Sequence, residues 1–151
     1  MRIENNHTLL KNFAIACKAH HLKVTPQRVA IYRELIGSTA HPSVDDMYQI
    51  IKNEFPNISY DTVSRTMLTF SKIGILDLVE VYGGAKRFDP NVTGHHHLHS
   101  VSCGQILDFH NDQFNNLGIP DDVRQHFKVL ASRVVLKGIC EQCSNSGNDS
   151  P

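Results

Sequence analysis

Residues 59–89 read SYDTVSRTMLTFSKIGILDLVEVYGGAKRFD, and within them the hydrophobic period changes from that of a helix to that of a strand. Ser59 is a capping residue type, followed by Val63, Met67, Phe70 and Ile73 at the three-to-four-residue spacing that lines one helical face, with Gly74 as a stop. Residues 75–82 are instead rich in aliphatic and β-branched side chains. Gly83-Gly84 is a tight-turn dipeptide, and residues 85–88 form a second short strand. A helix running into a β-hairpin is the closing half of a winged helix-turn-helix.

Upstream, the pattern supplies the other helices. Ser43 caps a third helix with Val44, Met47, Tyr48, Ile51 and Phe55 at helical spacing and Pro56 beyond it. Thr25-Pro26 starts a second, which runs to Gly37. A first helix covers residues 8–21, with Leu9, Leu10, Phe13 and Ala16 or Cys17 as its stripe. Downstream, Pro90, Asn91 and Gly94 mark a hinge over 89–94. Strands are expected over 97–102 and 105–110, a helix over 121–127, a third strand over 128–139, and a disordered polar tail over 144–151. The fold class is therefore α+β: a winged-helix domain at 1–88, then a small α/β domain at 95–143. No internal repeat is present.

Composition narrows the setting. The 151 residues are 40% hydrophobic and 20% charged, as in a soluble protein with a core. The most apolar early stretch, Leu9 to Ala19, is interrupted by Lys11 and Lys18, which fits neither a spanning helix nor a signal-peptide core; a cytoplasmic location with no membrane partner is expected. Net charge is zero, but 11 Lys+Arg face 8 Asp+Glu up to Arg87, against 4 and 7 from Phe88 onward. A mildly basic first half and acidic second half is the asymmetry expected if only the first meets DNA.

In a helix-turn-helix the second helix of the pair lies in the major groove. Its exposed early positions here are Tyr60, Asp61, Thr62, Ser64 and Arg65. Arg65 suits guanine or phosphate, and Tyr60 and Thr62 suit thymine methyls or phosphate. Lys23 and Arg28 are placed for backbone or minor-groove contact, and Lys86 and Arg87 for backbone contact from the wing.

Ten histidines is many for this length, and four fall within H-H-H-L-H at residues 95–99. On a strand, alternation puts His95, His97 and His99 on one side and His96 on the other. Imidazoles two residues apart form half of a metal site. Asp89 before the hinge, Asp108 on the next strand and His41 between helices two and three are its companions. Nitrogen and carboxylate donors without thiolate suit Fe(II), Mn(II) or Zn(II). Separately, Cys103 and the CxxC pair Cys140/Cys143 are placed to meet around a structural zinc. A four-thiolate site needs a cysteine three residues before Cys103, where Ser100 stands; its neutral hydroxyl is a poorer zinc ligand, and His99 projects to the opposite face. Cys17 reads as core.

Taken in order, Thr25-Pro26-Gln27-Arg28, His41-Pro42 with Asp45-Asp46, Thr62-Val63, Arg87-Phe88-Asp89, the histidine cluster, Cys103-Gly104 and the terminal CxxC resemble the ferric uptake regulator (Fur) family over nearly the whole chain. The resemblance implies a winged-helix domain, a dimerisation domain, a homodimer and an inverted-repeat operator in double-stranded DNA. It implies a regulatory metal at His41, Asp89, His95, His97 and Asp108. The last ligand tends to be Glu in the iron-uptake regulators and Asp in the peroxide sensors, so Asp108 implies the peroxide-sensing branch. There, bound Fe(II) reacts with hydrogen peroxide, a histidine ligand (here His41 or His95) is oxidised, and the operator is released. The sequence departs from the family at Ser100, at Ser64 where many members carry Tyr, and at Ala131 and Ser132 where relatives place histidines. His96 and His126 are left without a role.

Iron- or zinc-uptake control by the same site is the alternative within this class. A metallohydrolase is the rival from another class, but it needs an open coordination position and a general base. The five ligands leave little room, and no G-x-S-x-G or P-loop motif is present. A redox or metal-storage module on Cys140 and Cys143 lacks a thioredoxin-like βαβ setting.

Overall fold

Ser43 and Ser59 set the frame of the first half. In the computed structural model, which describes residues 2–36, 38–79 and 84–147 (side chains from residue 7), each serine is extended in backbone and begins a helix. The side chains accept from the Asp46 and Thr62 N–H groups, which a helix start otherwise leaves without a partner. At Ser43 the cap is reciprocal: the Asp46 carboxylate accepts from the Ser43 N–H at 2.9 Å and from its hydroxyl at 2.6 Å. The helices so started are α3 (Val44–Glu54) and α4 (Tyr60–Lys72).

Before them, Thr25 accepts from the Arg28 N–H at 3.3 Å and opens α2 (Pro26–Ile36). The first helix, α1 (Arg2–Ala19), starts six residues earlier than its apolar stripe indicates. The segment Arg2 to His7 carries no such stripe, yet extending an existing helix needs only one more hydrogen bond per residue. Phe13, Tyr32 and Phe70 form the aromatic centre of the core, with Phe13 stacked on Tyr32 at 4.3 Å and edge-on to Phe70 at 5.3 Å. Cys17 is fully buried here, and burial pushes its thiol pKa up.

The wing pairs β1 (Asp77–Val79) antiparallel with β2 (Arg87–Asp89), Leu78 opposite Phe88. Phe88 is buried in the helical core and staples the hairpin to it. Ile75 and Leu76, expected in the strand, instead donate their N–H groups to the Phe70 carbonyl, so they belong to the exit of α4, where Gly74 takes φ +77°. The expected helix stop at Gly37, and the expected strand end and turn over 80–83, lie outside the described residues.

The second half is a three-stranded sheet in the order β4-β3-β5. β3 (His96–Ser100) is antiparallel to β4 (Ile106–Phe109) and parallel to β5 (Val135–Gly138). The strand expected over 128–139 shrinks to β5, and that over 97–102 ends at Ser100 because residues 101–103 turn toward Gly104, at φ +73°. α6 (Asp121–His126) was expected; α5 (Asp112–Asn115) and α7 (Glu141–Asn145) were not. Asn111 starts α5 by accepting from the Gln113 and Phe114 N–H groups. α7 takes up Ser144 and Asn145 from the stretch expected to be disordered, and residues 148–151 lie outside the described residues.

Two compact units result, residues 1–92 and 93–151. Residues 89–92 of the expected hinge go with the first, and Thr93 and Gly94 with the second. Among the described residues, no helix is long and apolar enough to cross a membrane.

The Ser43 hydroxyl and N–H hold the Asp46 carboxyl below its ordinary pKa. A depressed folded-state value gives stability that is present above the unfolded pKa of about 3.9 and lost as pH falls through the folded value. Ser43→Ala should therefore cost about 1 kcal/mol in urea unfolding at pH 7, and less at pH 3; equal midpoints at pH 7 would contradict this role for the cap.

Candidate metal centre

The register of β3 against β4 sets His97 directly opposite Asp108. His95 lies two residues earlier on the same side, and both imidazoles are buried. The His95 Nδ1 is 2.6 Å from the Thr93 carbonyl, which can only accept, so Nδ1 carries the proton and Nε2 presents a lone pair. That Nε2 is 3.0 Å from the His97 Nε2. The Asp108 Oδ1 is 3.6 Å from the first and 3.5 Å from the second. Two imidazole nitrogens and a carboxylate oxygen thus converge within the second unit. Borderline and hard donors without thiolate fit Fe(II), Mn(II) or Zn(II), and an orienting carbonyl behind a histidine is the usual support of a metal ligand.

In the first unit His41 and Asp89 are both buried, with the His41 Nε2 3.5 Å from the Asp89 Oδ2. His41 has φ +50°, in the left-handed region that a side-chain-bearing residue rarely adopts. Three ties to β2 hold it there. Arg87 donates to the His41 carbonyl at 3.2 Å, the Phe88 N–H donates to the Pro42 carbonyl at 3.1 Å, and Ser43 bridges to Arg87. Such strain persists only where the surroundings over-determine it, and it clusters at functional sites. The other Asp89 oxygen accepts from the Asn91 N–H at 2.8 Å.

Of the other histidines, His110 has its ring 6.1 Å from that of His95. His96 faces away and is structural: its Nδ1 accepts from the Val134 N–H at 3.2 Å, so its Nε2 donates to the Asn115 Oδ1 at 3.0 Å. His99 is buried on the same strand, and His126 is exposed at the end of α6. Thr93 and Arg87 act on the candidate ligands without any sequence signal, Thr93 because only its backbone is used.

Cys103, Cys140 and Cys143 gather in the second unit, their sulfurs within 4.8 Å of one another and Cys103 3.7 Å from Cys140. They do not simply end the last strand: Cys140 precedes α7 and Cys143 lies within it. The Cys143 backbone N–H, then the Ser100 hydroxyl and the Cys143 thiol, draw the Cys140 thiol down to about 7. Cys143 is pushed up to about 11, chiefly by its hydrogen bond to Cys140 and then by burial.

On α4, Tyr60 and Arg65 are exposed, and the Arg65 Nε pairs with Asp61 one turn back at 2.8 Å. Ser64 lines a cleft with Tyr60 and Lys86 between this helix and the wing. Thr62 is tied into the cap, its hydroxyl 2.8 Å from that of Ser59. Lys23 is exposed, and Arg28 donates to its carbonyl at 2.6 Å. Arg87 lies on the wing strand β2 as expected, with its side chain donating to the His41 carbonyl and 3.6 Å from Asp46.

Against known proteins, residues 19–137 match the model of the ferric uptake regulator family. The chain is 36% identical over 146 residues to the peroxide-responsive repressor PerR of Staphylococcus epidermidis, covering 95% of each. It superposes on the Helicobacter pylori ferric uptake regulator with a TM-score of 0.74 at 20% identity, over 92% of this chain and 93% of that one, which bears on the fold alone. It superposes on the Campylobacter jejuni peroxide stress regulator with a TM-score of 0.65 at 26% identity, over 83% and 95%. The chain belongs to the ferric uptake regulator family.

Proposed function

We propose that the protein is a metal-dependent transcriptional repressor that senses peroxide, acting as a homodimer on an inverted-repeat operator in double-stranded DNA. The convergence of His95, His97 and Asp108 carries this reading, because two buried imidazoles and a carboxylate form an incomplete donor set for Fe(II) or Mn(II). His41 and Asp89, buried together in the first unit, supply the remaining ligands. An ion held by all five favours the arrangement of the two units that binds DNA, and it shifts the population by the difference in its affinity for the two arrangements. Aspartate as the last ligand and the peroxide-responsive relative both support peroxide as the signal. When bound, Fe(II) supplies the reduction of hydrogen peroxide next to His41 and His95. Oxidation of either ring takes a neutral nitrogen donor out of the set. The chain then no longer holds the ion, and the DNA-binding arrangement loses its advantage.

Lys23, Arg28, Tyr60, Thr62, Ser64 and Arg65 form the DNA-binding surface, with the exposed Arg65 side chain suited to base contact. The capping role of Thr62 and the inward bond of Arg28 make these two positioning residues first. The relatives are named as repressors and regulators, so a metallohydrolase is not favoured.

The homodimer rests on a row of leucines. Leu98 pairs with Leu107 on one side and Leu136 on the other, and the three are 39%, 44% and 43% exposed. With Ile139 they line a cleft of about 300 Å³ on the sheet. A contiguous apolar row on a small sheet is the surface a second copy would cover.

Two measurements check these readings. Anaerobic Fe(II) protein should lose operator binding after hydrogen peroxide and gain one oxygen on peptides containing His41 or His95 by mass spectrometry, while the Mn(II) form keeps operator binding and unmodified histidines. Intact histidines and retained DNA binding in the iron form would instead favour a metal-uptake regulator. Leu107→Lys should convert the dimer to a monomer in sedimentation equilibrium; an unchanged mass would place the interface elsewhere.

A further inference from the structure

The cysteine trio differs from a closed zinc clamp at one position, and the structure shows what occupies it. Ser100, the last residue of β3, is buried, and its hydroxyl accepts from the Cys140 N–H at 3.3 Å. Cys103 and Cys140 are 3.7 Å apart at sulfur, and all three sulfurs lie within 4.8 Å of one another. Zinc–sulfur bonds of about 2.3 Å at a tetrahedral angle set sulfurs roughly 3.8 Å apart, so the Cys103–Cys140 separation fits a shared ion. Among the described residues, no fourth ligand atom gathers with the three sulfurs. The Ser100 hydroxyl is neutral, and it is already engaged with the backbone and sulfur of Cys140. His99 is not among the residues whose ligand atoms gather with the sulfurs. Cys103, in contrast, is exposed, so one side of the trio opens to solvent.

We infer that Cys103, Cys140 and Cys143 bind a thiophilic divalent ion through three thiolates and leave its fourth position to an exchangeable ligand from solvent. Structural zinc sites have all four positions filled by protein, and an open position belongs to sites that exchange ligands. Ser100 therefore turns a sealed staple into a site whose ion can be approached by small thiols and chelators. It is separate from the histidine–aspartate site, which contains no sulfur.

Cobalt(II) is a suitable probe, because sulfur-to-cobalt charge transfer reports thiolates alone and is blind to the histidine–aspartate site. The reduced, metal-free full chain should bind Co(II) with a charge-transfer band of three thiolates, rising to that of four in Ser100→Cys. Adding 2-mercaptoethanol should shift the Co(II) ligand-field bands of the unaltered chain and leave those of Ser100→Cys in place. Zinc should pass to EDTA on the order of tenfold faster from the unaltered chain, as expected when a site lacks one strong ligand. A four-thiolate band in the unaltered chain, no response to the added thiol, or no charge transfer at all would overturn the inference. If Ser100→Cys misfolds, the thiol titration is run on His97→Ala, in which the histidine–aspartate site is disabled, and the same shift is expected there; no shift would overturn the inference. Mn(II)-dependent DNA binding, followed in parallel, reports the repressor reading separately from this one.

Discussion

The candidate metal ligands of the second unit depend on one register, the pairing of His97 with Asp108 across β3 and β4. A slip of one residue would turn every side chain of β3 to the other face, replacing His95 and His97 with His96 and Leu98. The register is secured from both sides of the strand. His96 is bonded to the Val134 N–H and to Asn115, while Leu98 lies in line with Leu107 and Leu136. A histidine outside the candidate site thus helps fix the two within it. The Thr93 carbonyl then sets the His95 tautomer, leaving its Nε2 lone pair beside the His97 nitrogen and the Asp108 carboxylate.

In the first unit the corresponding constraint is the left-handed turn at His41. Arg87 touches the His41 carbonyl and lies beside Asp46, which completes the cap of α3. Phe88, the next residue, is buried in the core that also holds Val63, Met67 and Phe70 of α4. His41, the wing strand and the helix proposed to read DNA therefore share one packed body. Under the proposed function, a pull on His41 moves that body as a whole, because a close-packed core does not deform continuously.

Much of this was legible in the sequence, for physical reasons that differ by element. Ser43, Ser59 and Thr25 announce their helices because capping needs particular side chains at particular offsets. The change of period after Gly74 announces the wing. The alternation in H-H-H-L-H separates His95 and His97 from His96, as found. Short elements were not legible: α5 and α7 are four and five residues long, too short for a periodicity to register. The strand expected over 128–139 was overextended because β-branched residues alone do not say which of them find a partner strand. Arg87 was read as a wing cation for DNA-backbone contact because a charge carries no sign of the carbonyl it will meet, and the Thr93 carbonyl belongs to a backbone that every residue shares.

The central claim is that one ion takes ligands from both units and thereby governs DNA binding. The most direct measurement is Mn(II) binding by electron paramagnetic resonance, alongside operator affinity, for the unaltered chain, His41→Ala and Asp108→Ala. The result expected is one such Mn(II) per chain, weakened at least about tenfold by either substitution, with metal-dependent DNA binding lost in both. If His41→Ala keeps full Mn(II) affinity and metal-dependent DNA binding, the ion belongs to the second unit alone and the proposed coupling is wrong.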